Sequence, residues 1–205
     1  MIWISFSSNI LILLTAFITL RIHSSHINHK EFIWFFMFTG ISSGVAAFGH
    51  LPLVDERLAN SLLFASRLFS LGSIYFFTSG SINFASFWNN KMIRATNVIL
   101  FIISGLVLFW NNQFLPVMIY GIFGFMGIGL SVYFSDIRDA SQSKYLVVRG
   151  IGMLSFSALI FVLFKENYHF WAINISHIMM SYSLILFSRG FVRLNPQDKK
   201  ISSQS

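Results

Sequence analysis

Seven long apolar stretches constrain the fold of this chain more than any other feature of its sequence. An α-helix needs about 20 mostly apolar residues to cross the hydrocarbon core of a bilayer. Of the 205 residues, 55% are hydrophobic and only 10% are charged, whereas soluble domains have about 25% charged residues. We therefore predict an all-α polytopic membrane protein with seven transmembrane helices. The predicted spans are Ile2–Leu20, Phe32–Val54, Leu58–Ser79, Ala95–Trp110, Phe114–Phe134, Leu146–Phe164 and Phe170–Ser188.

The basic residues are distributed unequally between the two ends of these spans. The loops after spans one, three and five and the C-terminal tail hold eleven of the 14 Lys and Arg residues, and the opposite loops hold only Arg57 and Lys165. Because cytoplasmic loops are enriched in Lys and Arg, we predict an external N-terminus and a cytoplasmic C-terminus. The bundle is expected over residues 1–193, followed by a polar, disordered cytoplasmic tail over residues 194–205.

This charge distribution also bears on the partners and the location of the chain. The net charge of +7 is concentrated beside the apolar spans, so we expect the lipid bilayer, and not nucleic acid, as its partner. The chain is expected in the plasma membrane or an inner membrane. The absence of Cys excludes disulfides, thiolate metal sites and thiol nucleophiles.

The last apolar span carries a polar stripe. Asn174, His177 and Ser181 are spaced i, i+3, i+7, so they share one face of a helix. An ionisable residue deep in an apolar span is costly and points to a functional site. We therefore predict that this stripe faces other helices or a cavity, and that Asn174 contributes to substrate binding.

Ionisable residues gather in the outer half of the predicted bundle. His50 is near the outer end of span two, His169 is at the outer mouth of span seven, and His177 is deeper. Asp55 is in the adjacent outer loop. Imidazole and carboxylate groups are zinc ligands, and a zinc ion with an open position activates water. The alternatives are a loop carbonyl as the partner of His50, an aromatic interface belt around His169, and an interhelical hydrogen bond from His177 to Ser or Asn.

Arg67 lies near the midplane of span three, and no other span holds a carboxylate to pair with it. Its charge must meet carbonyls, hydroxyls, water or an anionic headgroup, which implies a polar or hydrated environment. A loop carboxylate, Asp55 or Glu56, is the alternative partner. We predict that Arg67 anchors a substrate headgroup.

Several of these residues resemble a known pattern. Ser42, Ser43 and His50 in SSGVAAFGH, Asp55, and His169 or His177 in HFWAINISH make the chain similar to the superfamily of alkaline ceramidases and progestin/adiponectin-type receptors. The resemblance implies seven helices, a zinc site near the outer side, and hydrolysis of lipid amides. It also implies His50 and His177 as zinc ligands with His169 as a third. Asp55 would then be a ligand or base, and Ser43 a hydroxyl that orients water or the oxyanion.

Two positions depart from that pattern, and other functions stay open. Ala46 and Ile173 stand where the ceramidase pattern has Ser and His. The leading hypothesis is a zinc-dependent lipid amide hydrolase with a polar chamber between spans two, three and seven that opens outward. The alternatives are a non-enzymatic sensor or a protein that binds a small ligand or lipid, and a small-solute transporter.

Overall fold

The computed structural model describes residues 2–27, 29–84, 91–129, 142–164 and 168–193. Every secondary-structure element in these ranges is helical, as predicted. The helices are α1 (Ile2–His23), α2 (Lys30–Gly49), α3 (Glu56–Phe84), α4 (Lys91–Trp110), α5 (Leu115–Gly121), α6 (Gln142–Phe164) and α7 (His169–Arg193). A 3₁₀ turn, Ser24–His26, follows α1, and α5 continues as a π-helical segment, Ile122–Gly129.

Six of these helices, α1 to α4, α6 and α7, are long and apolar enough to cross a membrane. Six of the seven predicted spans therefore correspond to helices with the length and apolar character that a membrane crossing requires. The fifth predicted span, Phe114–Phe134, is helical only over Leu115–Gly129 within the described residues, and residues 130–134 lie outside them. The count of seven crossing segments and the orientation stay predictions. The predicted tail, residues 194–205, also lies outside the described residues.

The loop between α2 and α3 begins earlier than predicted. Helix α2 ends at Gly49 and not at Val54, three residues before Pro52. Proline lacks the N–H of a helical hydrogen bond and disfavours helical backbone at the preceding residue. Asp55 then starts α3, because its Oδ1 accepts a hydrogen bond of 3.0 Å from the N–H of Leu58, as an N-cap residue does.

The helices form a ring with one helix outside it. Helix α1 packs between α2 and α7, α3 packs on α2, and α6 packs on α7. The π-helical segment contacts both α3 and α6 and so closes the ring, while α4 packs on α3 and α5 from outside. Helix α4 consequently exposes an apolar surface that includes Ile99, Leu106, Phe109 and Trp110.

Glycine permits the close approach of the π-helical segment to α3. A Cβ atom on Gly124 would lie 2.6 Å from Oγ1 of Thr78 and 2.8 Å from Cγ2 of Ile74, which no side chain could tolerate without movement of its neighbours. Small residues let helix backbones approach closely. Gly124 therefore has a packing role here.

We call the end of the bundle that carries His50 and the first residues of α1, α3 and α7 the His50 end, and the opposite end the Arg189 end. Towards the Arg189 end, phenylalanine rings from α2, α3, the π-helical segment and α7 fill the centre. This phenylalanine core comprises Phe32, Phe35, Phe36, Phe77, Phe125, Phe187 and Phe191, all buried. The rings of Phe32 and Phe191 stack with centroids 3.7 Å apart. The centre of the Arg189 end is therefore packed with apolar rings.

Candidate functional site

A hydroxyl and an imidazole from the first and last helices meet inside the bundle near the His50 end. Oγ of Ser8 lies 2.7 Å from Nδ1 of His177. Ser8 is buried and His177 is half-buried. His50, which follows the last residue of α2, lies close enough to His177 for the two imidazoles to interact electrostatically. We call Ser8, His50 and His177 the histidine site.

The exposed and buried residues of α7 show that His177 lies on the side of this helix that faces the bundle. Ile178 and Tyr182, which follow His177 and Ser181 by one residue each, are exposed, whereas Ser181 is buried. Ser181 donates a hydrogen bond of 3.0 Å to the carbonyl of His177, and Asn174 is half-buried one turn nearer the His50 end. The predicted polar stripe does face the interior.

The hydrogen bond between Ser8 and His177 has two possible directions, and each has a different chemical consequence. The hydroxyl has one proton, and Ser8 Oγ also lies 3.2 Å from the carbonyl of Ser5. If Ser8 donates to Nδ1, the imidazole accepts the bond and is placed to take the hydroxyl proton as a general base. If Ser8 donates to Ser5, Nδ1 carries the proton and the contact only joins two helices.

The surroundings of the histidine site carry no acidic side chain on the helices that form it. The sequences of α1 and α7 contain neither Asp nor Glu, and Glu31 is the acidic residue of α2. Glu31 is at the Arg189 end, where its Oε1 accepts a hydrogen bond of 2.6 Å from Nδ2 of Asn83. The histidine site therefore offers hydroxyl and imidazole groups, which recognise hydroxyl and amide groups.

The predicted zinc ligands are brought together only in part. Among the described residues, no three His, Asp or Glu side chains are grouped closely enough to hold a metal ion. His50 interacts electrostatically with His177, whereas Asp55 is exposed and accepts the N-cap bond of α3. Helix α7 begins at His169, but its side chain lies outside the described residues. Zinc binding stays a prediction. Of the predicted ligands, the imidazoles of His50 and His177 are the two that this structure is compatible with as a zinc-binding pair.

Ser43 lies deeper in the bundle than the histidine site. It is buried on α2 and precedes His50 by seven residues, which places it in the same column, roughly 10 Å further in. Its neighbour Ser42 bonds away from this column, with Oγ 2.8 Å from Oγ of Ser70 on α3. The role of Ser43 as a hydroxyl that orients water stays a prediction.

Arg67 lies on another side of the bundle. It donates hydrogen bonds through Nη1 to the carbonyl oxygen of Asn112, at 3.1 Å, and to the side-chain Oδ1 of the same residue. Asn112 is in the loop between α4 and α5. The guanidinium therefore reaches from its apolar helix to loop oxygens at the His50 end, as long basic side chains do in membranes.

The predicted chamber between spans two, three and seven is corrected in one respect. Helix α1, and not α3, lies between α2 and α7, so Ser8 supplies the partner of His177. Helix α3 packs on the other side of α2 and hydrogen-bonds to it, for example through Ser73 and Thr39 at 2.5 Å. The order of the spans along the sequence did not predict that the first helix would pack against the last one.

The sequence also places the chain in a family. Residues 6–196 match the sequence profile of a family of unknown function, DUF6962. The chain belongs to that family. No curated protein and no solved structure is detectably similar to it. The range that matches DUF6962 contains Ser8, His50 and His177, so the whole histidine site is within the family region.

One member of the histidine site in this DUF6962 chain was missed by sequence reasoning. Ser8 belongs to a small polar group with Ser5 and Asn9 in the first span, spaced i, i+3, i+4, and this pattern could have identified it. A second buried polar contact was also missed. Tyr120 donates a hydrogen bond of 2.7 Å from its hydroxyl to Oδ1 of Asn97, which joins α5 to α4.

Proposed function

We propose that the chain is a seven-helix membrane protein with an external N-terminus, and that it binds a neutral lipid at the histidine site through hydroxyl or amide groups of the lipid. The contact of 2.7 Å between Ser8 Oγ and His177 Nδ1 is the observation that carries this proposal. It holds two hydrogen-bonding side chains from different helices, and neither of these two helices contains Asp or Glu. Lipids with an amide and hydroxyls offer the matching donors and acceptors.

The depth of the site supports a lipid as the ligand. Ser8 is six residues after the start of α1 and His177 is eight residues after the start of α7, which places them roughly 9 and 12 Å along their helices. The hydrocarbon core is about 30 Å thick. The site therefore lies below the headgroup region, where the amide and hydroxyls of a lipid inserted between helices would reach.

Binding of a fluorescent short-chain ceramide to the full chain in nanodiscs tests the proposal. Ser8→Ala and His177→Ala are each expected to weaken binding about tenfold, because each removes a hydrogen-bonding group from an enclosed site. Ser7→Ala is the matched control, since Ser7 is exposed and its hydroxyl bonds the carbonyl of Trp3 on its own helix at 2.7 Å. Wild-type affinity in Ser8→Ala, or an equal loss in Ser7→Ala, would contradict the proposal.

A second candidate function, hydrolysis of such a lipid amide, is favoured by the same contact. With His177 as the base, Ser8 Oγ would attack the amide carbon, and the imidazolium would return the proton to the leaving amine. Water would then hydrolyse the acyl ester on Ser8, which releases the fatty acid and restores the hydroxyl. The resemblance to alkaline ceramidases suggests a different route, in which zinc held by His50 and His177 activates water. The two routes predict different sensitivity to chelation.

Release of fatty acid from a lipid amide, measured by mass spectrometry, tests hydrolysis. The serine route predicts turnover that resists chelators and falls at least about 100-fold in Ser8→Ala. The zinc route predicts about one zinc per chain by elemental analysis, and loss of zinc and of turnover after chelation or in His50→Ala. Retained ceramide binding without any turnover would reject hydrolysis and leave the binding function.

A further inference from the structure

Two grooves meet on the outer side of α3 and α4, away from the histidine site. The first has a volume of about 780 Å³ and lies at the His50 end, where its polar lining includes Asp55, Glu56, Arg57, Asn60 and Asn112. The second has a volume of about 230 Å³ and is lined only by apolar residues and glycine, among them Leu68, Leu71, Phe101, Gly105 and Phe109. Polar residues therefore predominate among those that line the first groove, and apolar residues line the second.

The two grooves lie along one helix face. Asn60, Phe64, Leu68 and Leu71 recur at intervals of three or four residues on α3, which is one side of a helix. Phe64 lines the polar groove and Phe109 lines the apolar groove, and their rings are in edge contact with centroids 5.0 Å apart. The grooves are therefore adjacent, with this ring contact between them, and they follow one another from the end of the bundle towards its middle.

The depth of each groove matches one part of a phospholipid. Asp55, Glu56 and Arg57 are at the start of α3. Leu68 and Leu71 are 12 and 15 residues after Glu56, roughly 18 and 22 Å along the helix. With a hydrocarbon core about 30 Å thick, the polar groove is at headgroup level and the apolar groove is at acyl-chain level.

The charges of the polar groove indicate the class of headgroup. Its lining contains two carboxylates, Asp55 and Glu56, and one guanidinium, Arg57. Arg67 adds a second guanidinium next to the groove, because it bonds to Asn112. A headgroup with a phosphate and a primary amine can pair with both signs of charge, whereas an anionic headgroup without an amine would face the carboxylates.

We infer that this composite groove is a binding site for one phospholipid of the leaflet at the His50 end, with a zwitterionic, amine-bearing headgroup such as phosphatidylethanolamine. The amine contacts Asp55 and Glu56, the phosphate contacts Arg57, and an acyl chain follows Leu68, Leu71 and Gly105 towards the middle of the membrane. This site is separate from the histidine site, because it is formed by α3 and α4, and it does not depend on the function proposed above.

The chain offers a matched pair of glycines for testing the acyl-chain groove. A Cβ atom on Gly105 would meet nothing within 4 Å, and the same holds for Gly152 on α6. Leucine at either position is therefore compatible with the fold and improves helix propensity. Gly105→Leu fills the apolar groove, whereas Gly152→Leu adds the same side chain to a surface away from it.

Delipidated full-length protein is titrated with phosphatidylethanolamine and with phosphatidylglycerol of identical chains, and bound lipid is counted by native mass spectrometry. We expect one phosphatidylethanolamine at saturation, about tenfold tighter than phosphatidylglycerol, with at least tenfold weaker binding in Gly105→Leu and no change in Gly152→Leu. Equal effects of the two glycine variants, or no saturable lipid, would overturn the site.

Charge variants test the headgroup assignment. Asp55→Asn keeps an N-cap side chain for α3 and Glu56→Gln keeps the size of the side chain, so the double variant is expected to fold. It should lose the preference for phosphatidylethanolamine over phosphatidylglycerol. An undiminished preference in this variant, or tighter binding of phosphatidylglycerol by the wild type, would overturn the zwitterionic assignment.

Discussion

Replacing Phe77 with alanine is expected to lower the free energy of unfolding by about 3 kcal/mol. Phe77 is fully buried in the phenylalanine core, with ring centroids 4.5 Å from Phe125 and 5.3 Å from Phe187. Removal of the ring leaves a cavity that rings from three other parts of the bundle cannot fill. The value is at the low end for Phe→Ala, because in a membrane the lost stabilisation is packing and not transfer from water.

Unfolding of the protein in mixed micelles by a graded mole fraction of SDS measures this effect. Phe156→Ala is the control, because Phe156 on α6 is 54% exposed and its removal should change stability by less than about 0.5 kcal/mol. Phe77→Leu should recover part of the loss. Equal stability of Phe77→Ala and Phe156→Ala would show that the phenylalanine core does not hold the bundle together.

Replacing Gly150 with leucine is expected to destabilise the contact between α6 and α7 by about 2 to 3 kcal/mol. A Cβ atom there would lie 2.7 Å from Cε1 and 2.8 Å from Cδ1 of Phe187. Phe187 is fully buried and packs against Phe191 with its ring nearly parallel. Its ring therefore cannot move aside without disturbing the phenylalanine core, and the helices must separate.

Gly152→Leu on the same helix is the matched control for this substitution. A side chain there meets nothing within 4 Å, so the variant should be as stable as the wild type or slightly more stable. Thermal unfolding followed by intrinsic fluorescence compares the two variants under identical conditions. A loss of stability in Gly152→Leu of the same size would point to a general intolerance of leucine in α6 and against the close contact at Gly150.

The apolar pattern predicted the helices better than it predicted their ends. Six predicted spans correspond to helices long enough to cross a membrane, because apolar length alone decides this property. The structure extends α3 beyond the predicted Leu58–Ser79 to Glu56–Phe84 and α7 beyond Phe170–Ser188 to His169–Arg193. Helices continue into polar flanking residues, because the hydropathy is lower there but the backbone hydrogen bonds of the helix still form.

The candidate site was predictable in its direction, and an interhelical hydrogen bond between His177 and a Ser or Asn was one of the predicted alternatives. Which residue provides that bond was not predictable. The spacing of Asn174, His177 and Ser181 predicted which face of α7 is inside, since that face is the polar one. The partner of His177 is Ser8, 169 residues away in the chain. The resemblance to ceramidases instead implied that Asp55 is a zinc ligand or a base at the site. The structure gives Asp55 a bond to the N–H of Leu58 at the start of α3.

The apolar helices and the polar stripe on the last one follow from the amino-acid pattern alone, because both properties are local to a helix. The packing of the whole bundle places α1 between α2 and α7, brings Arg67 to Asn112, and sets the polar groove next to the apolar groove along α3 and α4. These features depend on which helices are neighbours. Helices with similar apolar surfaces do not specify their neighbours individually, and the choice is made by the collective packing of glycines and phenylalanine rings between them.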